Sequence, residues 1–218
     1  MAGEECVGKA MSIDNPNLSA PYFKIGMEYL LKAIKIHPNY IDAMLDLGVA
    51  YEKYNKNLDS ALYYYTEVIR LNPSNGKAFN NIAVLFRSKD SLLLQFKTYK
   101  KLYEYNPNQF DVNNILGSLY SSLNHDYKNA IFHLENAIKI NNTQSASYIN
   151  LGVAYGNSGD FLKAVNAFEI AASLDPKNPL IYGNLAESYK VLKQFDKEKK
   201  AREKLADLKL KFQHQKNK

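Results

Sequence analysis

The sequence predicts an all-α solenoid of stacked antiparallel helix pairs, and three observations carry that expectation. Prolines recur at Pro38, Pro73, Pro107 and Pro176, with Asn142 at the one missing place, so the steps run 35, 34, 35 and 34 residues. A second series, Ala33, Val68, Leu102, Ala137, Ala171 and Leu205, advances in the same register. Within each period apolar residues recur at i, i+3, i+4 and i+7, which gathers them on one face of a helix. Self-similarity at this period marks an architecture in which each unit buries its apolar face against its neighbours.

In chain order, residues 1–40 read as a partial first repeat. Pro21–Pro38 is its second helix, with Gly26, Leu30 and Ala33 in register, and its first helix falls near Glu4–Ile13, where no signature residue stands. Residues 41–75 give Met44, Leu47, Gly48 and Tyr51 on a first helix, then Ala61, Tyr65, Val68 and Pro73 on and after a second. Residues 76–109 give Phe79, Ile82, Ala83 and Phe86, then Gln95, Tyr99, Leu102 and Pro107. Residues 110–144 give Asn113, Leu116, Gly117 and Tyr120, then Ala130, Leu134 and Ala137. Residues 145–178 show the pattern best, with Tyr148, Leu151, Gly152 and Tyr155, then Ala164, Phe168, Ala171 and Pro176. Residues 179–212 open with Tyr182, Leu185, Ala186 and Tyr189 and close in a Lys-rich capping helix, followed by a basic tail at 213–218.

The small residues have a physical reading. Gly48, Gly117 and Gly152 sit mid-helix although glycine costs about 1 kcal/mol there relative to alanine. A small residue kept at one address implies close helix contact, and Ala61, Ala130 and Ala164 make the same argument for the second helix. Asn157-Ser158-Gly159-Asp160 is a turn between helices, and the Asn-Pro and Asp-Pro steps end the second helix of a pair. Asn55-Lys56-Asn57 and Asn124-His125-Asp126 carry one extra turn residue, which accounts for the 35-residue steps. The third unit departs most: Gln95 stands where alanine is expected and Ser91-Leu92-Leu93-Leu94 replaces the polar turn, which predicts a looser seam or, second, one covered by a neighbouring chain. In the last helix Glu198 and Arg202 replace the small and aromatic residues, while Phe195, Leu205, Leu208 and Phe212 keep one apolar stripe, with fraying expected past Gln213.

On these residues the chain resembles the tetratricopeptide-repeat family over nearly its whole length. The resemblance implies a right-handed superhelical solenoid whose first helices line a concave groove, and a non-catalytic role in binding a peptide or partner protein there. It also implies groove-facing addresses at the second, fifth, sixth, ninth, twelfth and thirteenth places of each unit. The sixth address holds Asp46, Asn81, Ile115, Asn150 and Asn184. Asparagine there is similar to the ladder that grips peptide backbones in some family members, since an amide both donates and accepts. Ile115 interrupts it, with Asn114 one residue away. Leu45, Val49, Val84, Ile149 and Val153 lie off the core stripe and are expected to be partly exposed, either as an apolar docking patch or as packing between first helices. The carboxylate clamp of the family's co-chaperones is missing. Leu45, Val49, Asn81, Asp111 and Ile115 occupy its addresses, and the window one unit later has Asn80, Val84, Ile115, Ala146 and Asn150. Neither set supplies the cations.

Composition and charge narrow the remaining classes. The 218 residues are 46% hydrophobic and 23% charged, with 7 Pro and 10 Gly, as in an ordered soluble chain. No apolar run approaches the ~18 residues of a membrane span, and residues 1–10 show no secretory pattern, so a cytoplasmic location is expected. The net charge of +6 sits in the last element: from Lys190 onward there are 11 Lys and Arg against 4 acids, and elsewhere 17 against 18. That element lacks aromatic interleaving beyond Phe195 and Phe212, which argues against nucleic acid. Cys6 is the only cysteine, and His37, His125, His133 and His214 are scattered, so neither a disulfide nor a metal site is expected. No phosphate loop, nucleophile elbow or zinc motif is present, so no catalytic residue and no cofactor is assigned. The rival reading is the repeat segment of a larger enzyme, such as a glycosyltransferase, that presents protein substrate. Homo-oligomerisation through the groove or an exposed end stays open.

Overall fold

A computed structural model describes residues 2–87 and 92–216. Among the described residues every regular element is an α-helix, and the chain divides into two compact units, Met1–Asn106 and Pro107–Lys218. Ser91 and the side chain of Phe212, to which the sequence assigns roles, lie outside the described residues.

The first unit contains α1 (Ala2–Met11), α2 (Pro16–Ile36), α3 (Ile41–Lys53), α4 (Leu58–Leu71), α5 (Gly76–Arg87) and α6 (Leu92–Tyr105). Residues 1–40, expected as a partial repeat, hold a complete helix pair. α1 buries Gly3, Val7 and Ala10 against α2, where a side chain at Gly26 would meet Val7 Cγ2 at 2.8 Å. Phe23, Met27 and Leu30 of α2 join Ala43, Leu47 and Ala50 of α3 in one core cluster. The Tyr40 hydroxyl donates to Glu4 Oε1 at 2.6 Å, tying α1 to the start of α3. In α6, Leu92 and Leu93 are exposed and Gln95 is half-buried, while Tyr99 and Leu102 are buried.

The second unit contains α7 (Phe110–Leu123), α8 (Tyr127–Ile140), α9 (Ser145–Asn157), α10 (Phe161–Leu174), α11 (Pro179–Val191) and α12 (Phe195–Lys216). α12 continues through Lys216, beyond the expected fraying point. Ala130 and Leu134 of α8 pack with Leu151 and Ala154 of α9 and Ala167 of α10. Ile149, Ala164, Phe168 and Ala171 pack with Ile181, Leu185 and Tyr189 one pair later. Gly152 sits against the Phe168 ring, where an added Cβ would come within 2.8 Å of three ring atoms.

A polar clasp repeats with the pairs. Tyr155 donates to Glu135 Oε1 and Tyr189 to Glu169 Oε1, both at 2.6 Å and both reaching 20 residues back. Burial, then the carboxylate, pushes both phenols up, so each stays a donor. α7 and α8 instead share a buried polar pair. Asn113 Nδ2 donates to the Pro107 and Gln109 carbonyls at 2.6 and 2.9 Å, which leaves its Oδ1 to accept from His133 Nδ1–H at 3.0 Å. The imidazole stacks on Tyr120 with centroids 5.3 Å apart, and burial lowers its pKa below the ordinary 6.5.

The inter-helix turns share one device. Lys56, His125, Gly159 and Lys193 have φ of 49°, 50°, 91° and 57°, and each precedes the residue that caps or opens the next helix. Asn57, Asp126 and Asp160 then accept from the backbone N–H of Ser60, Asn129 and Lys163.

Candidate partner-binding face

The first helix of each pair presents the sixth- and ninth-address residues, and the two units present them differently. In the first unit Asp46 of α3 is half-buried. Desolvation, reinforced by Glu4 and Asp42 and opposed by Lys77, pushes its carboxyl up to about 6. Asn81 of α5 is already engaged, donating to the buried Tyr65 oxygen, whose own proton goes to Glu52 Oε2 at 3.1 Å. Val49 is half-buried and Val84 exposed.

Two of the apolar residues expected to be partly exposed are not. Leu45 and Ile149 are each only 7% exposed. Ile149 belongs to the core cluster between α9, α10 and α11, so the fifth address serves helix packing at that place.

In the second unit Asn150 and Val153 of α9 line an open cleft of about 410 Å³. Its other walls are Ser118, Ser121 and Ser122 of α7, His125 and Tyr127 at the following turn, and Asn157. The lining holds hydroxyls, amides, an imidazole and one valine, and no carboxylate, amine or guanidinium. These groups donate and accept hydrogen bonds without favouring either sign of charge. Across the floor, Ser147 of α9 donates to Asn114 Oδ1 of α7 at 3.0 Å, so the asparagine beside Ile115 holds the two helices together. Asn184 of α11 is half-buried, and its amide nitrogen is itself buried, with no hydrogen-bond partner. The sixth address thus supplies a cleft wall at Asn150, a hydrogen bond to Tyr65 at Asn81, a buried unpartnered amide at Asn184, and half-buried side chains at Asp46 and Ile115.

The serines and Asn157 were not singled out from the sequence, although Ser118, Ser121 and Ser122 occupy the ninth, twelfth and thirteenth addresses of residues 110–144, and Asn157 the thirteenth of 145–178. Applying every groove address to every unit would have found them. Among the described residues no group of His, Cys, Asp or Glu could hold a metal ion, and no helix is long and apolar enough to cross a membrane.

The tetratricopeptide-repeat family profile matches residues 145–178, and a second profile of the same description matches residues 42–75. The chain is 26% identical over 164 residues to human tetratricopeptide repeat protein 6, covering 75% of this chain and 31% of that protein. It is 25% identical over 162 residues to the BBSome complex member BBS4 of Bos taurus, covering 74% and 31%. The chain therefore spans about a third of the length of these two relatives. Among solved structures, MamA superposes with a TM-score of 0.64 at 22% identity, covering 78% of this chain and 92% of MamA. YrrB, described as a TPR protein with an unusual peptide-binding site, superposes at 0.65 with 19% identity, covering 84% and 93%. These likenesses are to the fold.

Proposed function

We propose that this chain, which belongs to the tetratricopeptide-repeat family, is a non-catalytic scaffold that binds an extended peptide or a segment of a partner protein along its first helices. The α7–α9 cleft is the observation that carries the reading. It is open, it lies between the first helices of consecutive pairs, and all its residues from α7 and α9 stand at groove addresses. A peptide laid across it would exchange backbone hydrogen bonds with Asn150, Asn157 and the three serines, and would seat one apolar side chain on Val153.

The neutral lining favours a segment without a charge cluster at the point of contact. This separates the site from co-chaperone clamps, which need several cations around a carboxylate.

The test begins with peptides selected from a random display library on the immobilised chain. Calorimetry then compares wild type with Asn150→Ala/Val153→Glu, whose fold is checked by circular dichroism. Loss of at least tenfold in affinity is expected, since Val153→Glu places a charge against the ligand's apolar side chain. Equal affinity for both proteins would discard the cleft as the binding surface.

A further inference from the structure

The last helix pair carries a cationic cleft on the side of α11 away from the groove addresses. Tyr182, Leu185 and Tyr189 of α11 form its floor, and Lys197, Lys200 and Lys204 of α12 form a wall, around an open volume of about 220 Å³. The floor residues stand at the fourth, seventh and eleventh addresses of residues 179–212. At about 100° per residue, Asn184 at the sixth address lies about 200° around α11 from Tyr182. The cleft is therefore a different surface from the α7–α9 groove.

The floor has no hydroxyl to offer. Tyr182 donates to the Pro176 carbonyl at 3.1 Å, and Tyr189 to Glu169. Leu185 and the lysine stems add hydrocarbon. Polar recognition is left to three exposed ammonium groups, none of which has a carboxylate partner among the described residues. The acids nearby are otherwise placed: Glu198 and Glu187 hold Arg202, and Asp207 holds Lys211. Asp196 and Glu203, four residues before and three after Lys200, form no ion pair with it.

The preceding pair lacks this charge. Its residues at the three lysine places are Lys163, Asn166 and Ile170, and Lys163 Nζ is paired with Asp160 Oδ2 at 3.0 Å. In the last pair Gln194 stands at the place of Asp160, so that anion is gone, and two further cations replace the amide and the isoleucine. Like charges three and four residues apart on a helix repel, so the three lysines weaken α12 unless an anion lies among them.

We propose that this cleft binds an acidic segment of a partner protein, in which carboxylates flank one apolar side chain. The apolar side chain sits on the floor of Tyr182 and Leu185, and the carboxylates pair with Lys200 and Lys204. From Lys197 to Lys204 the wall runs about 10 Å at 1.5 Å per residue, the reach of about three extended residues. The floor argues against nucleic acid. Base stacking needs an open ring face, whereas Tyr189 is 6% exposed and Lys197 Nζ lies over its ring at 5.4 Å. A flat anionic membrane meets the ammonium groups but not a floor recessed between two helices.

Fluorescence anisotropy of the full chain with a labelled peptide, Asp-Glu-Asp-Leu-Glu-Asp-Glu, tests this at about 0.15 M salt, where charges beyond about 8 Å are screened. Wild type is expected to bind it saturably. Lys200→Glu/Lys204→Glu should bind at least tenfold more weakly, and a peptide with serine in place of leucine at least threefold more weakly. Lys199→Glu/Lys209→Glu makes the same change of charge outside the cleft and should alter affinity by less than threefold. All four lysines are exposed, and circular dichroism verifies both folds. Asn150→Ala/Val153→Glu should retain the peptide, which separates this site from the α7–α9 cleft. Absence of saturable binding to wild type, equal losses in the two lysine variants, or indifference to the leucine would overturn the proposal. A twelve-residue oligothymidylate or phosphatidylserine vesicles held through Lys200 and Lys204, with the peptide not held, would overturn it in favour of that ligand.

Discussion

Substituting alanine at two glycines of the second unit should have opposite effects. At Gly152 in α9 a new Cβ would lie 2.5 Å from Phe168 Cε1, 2.7 Å from Cδ1 and 2.8 Å from Cζ. Carbon atoms in contact prefer about 3.5–4.0 Å, so the ring must retreat by roughly 1 Å. Phe168 is buried among Ile149, Ala164, Ala171 and Ile181, which leaves it nowhere to go without displacing α11. Overpacking of this kind costs about 1–3 kcal/mol, against a gain of about 1 kcal/mol from replacing a mid-helix glycine. The net is a loss of up to about 2 kcal/mol. At Gly183 in α11 the nearest atom to a new Cβ is Leu205 Cδ2 at 4.0 Å, an ordinary contact. There the propensity gain stands alone, at up to about 1 kcal/mol. Urea unfolding followed at 222 nm reads both, as a midpoint lowered for Gly152→Ala and raised for Gly183→Ala with little change in slope. A Gly152→Ala protein stabilised as much as Gly183→Ala would refute the close-packing account at Gly152.

Three further perturbations follow. Asp46→Asn should stabilise the first unit at neutral pH, because a carboxyl whose folded pKa is raised to about 6 favours folding at low pH and loses that contribution as pH rises through 6. Thermal melts at pH 4.5 and 7.5 should show the larger gain at the higher pH. The buried neutral His133 acts in the opposite direction: its contribution is complete above the unfolded value near 6.5 and is lost as pH falls toward its lower folded pKa. The melting temperature of His133→Gln should therefore vary less with pH below 6.5 than that of wild type. Lys193→Gly should raise stability by up to about 1 kcal/mol, since a left-handed backbone costs an ordinary residue about 1–2 kcal/mol and glycine's extra unfolded freedom offsets part of that. A lower urea midpoint would contradict that reading of the turn.

Much of the fold is legible because the repeat states it several times. The proline steps, the small residues facing Tyr65, Leu134 and Phe168, and the turn residues before Asn57, Asp126 and Asp160 each appear at a fixed interval. α1 was harder to see, because Gly3, Val7 and Ala10 bury a narrow face without the aromatic residues of later first helices. The division after Asn106 leaves no trace in the period, since Pro107 ends a helix as the other prolines do. The candidate site was legible only in part. Periodicity sorts core from surface, but the fifth address lies at the border between groove and helix seam, so Leu45 and Ile149 could not be assigned from spacing. The cleft exists because serines on α7 leave room opposite Asn150 and Val153, and that depends on two helices at once.

Binding at the α7–α9 cleft is the central claim, and backbone amide chemical shifts of the isotope-labelled chain titrated with a selected peptide test it most directly. The account predicts that the largest changes fall at Ser118, Ser121, Ser122, Asn150, Val153 and Asn157. Changes concentrated on α8, α10 or α12, with those six residues unmoved, would contradict it.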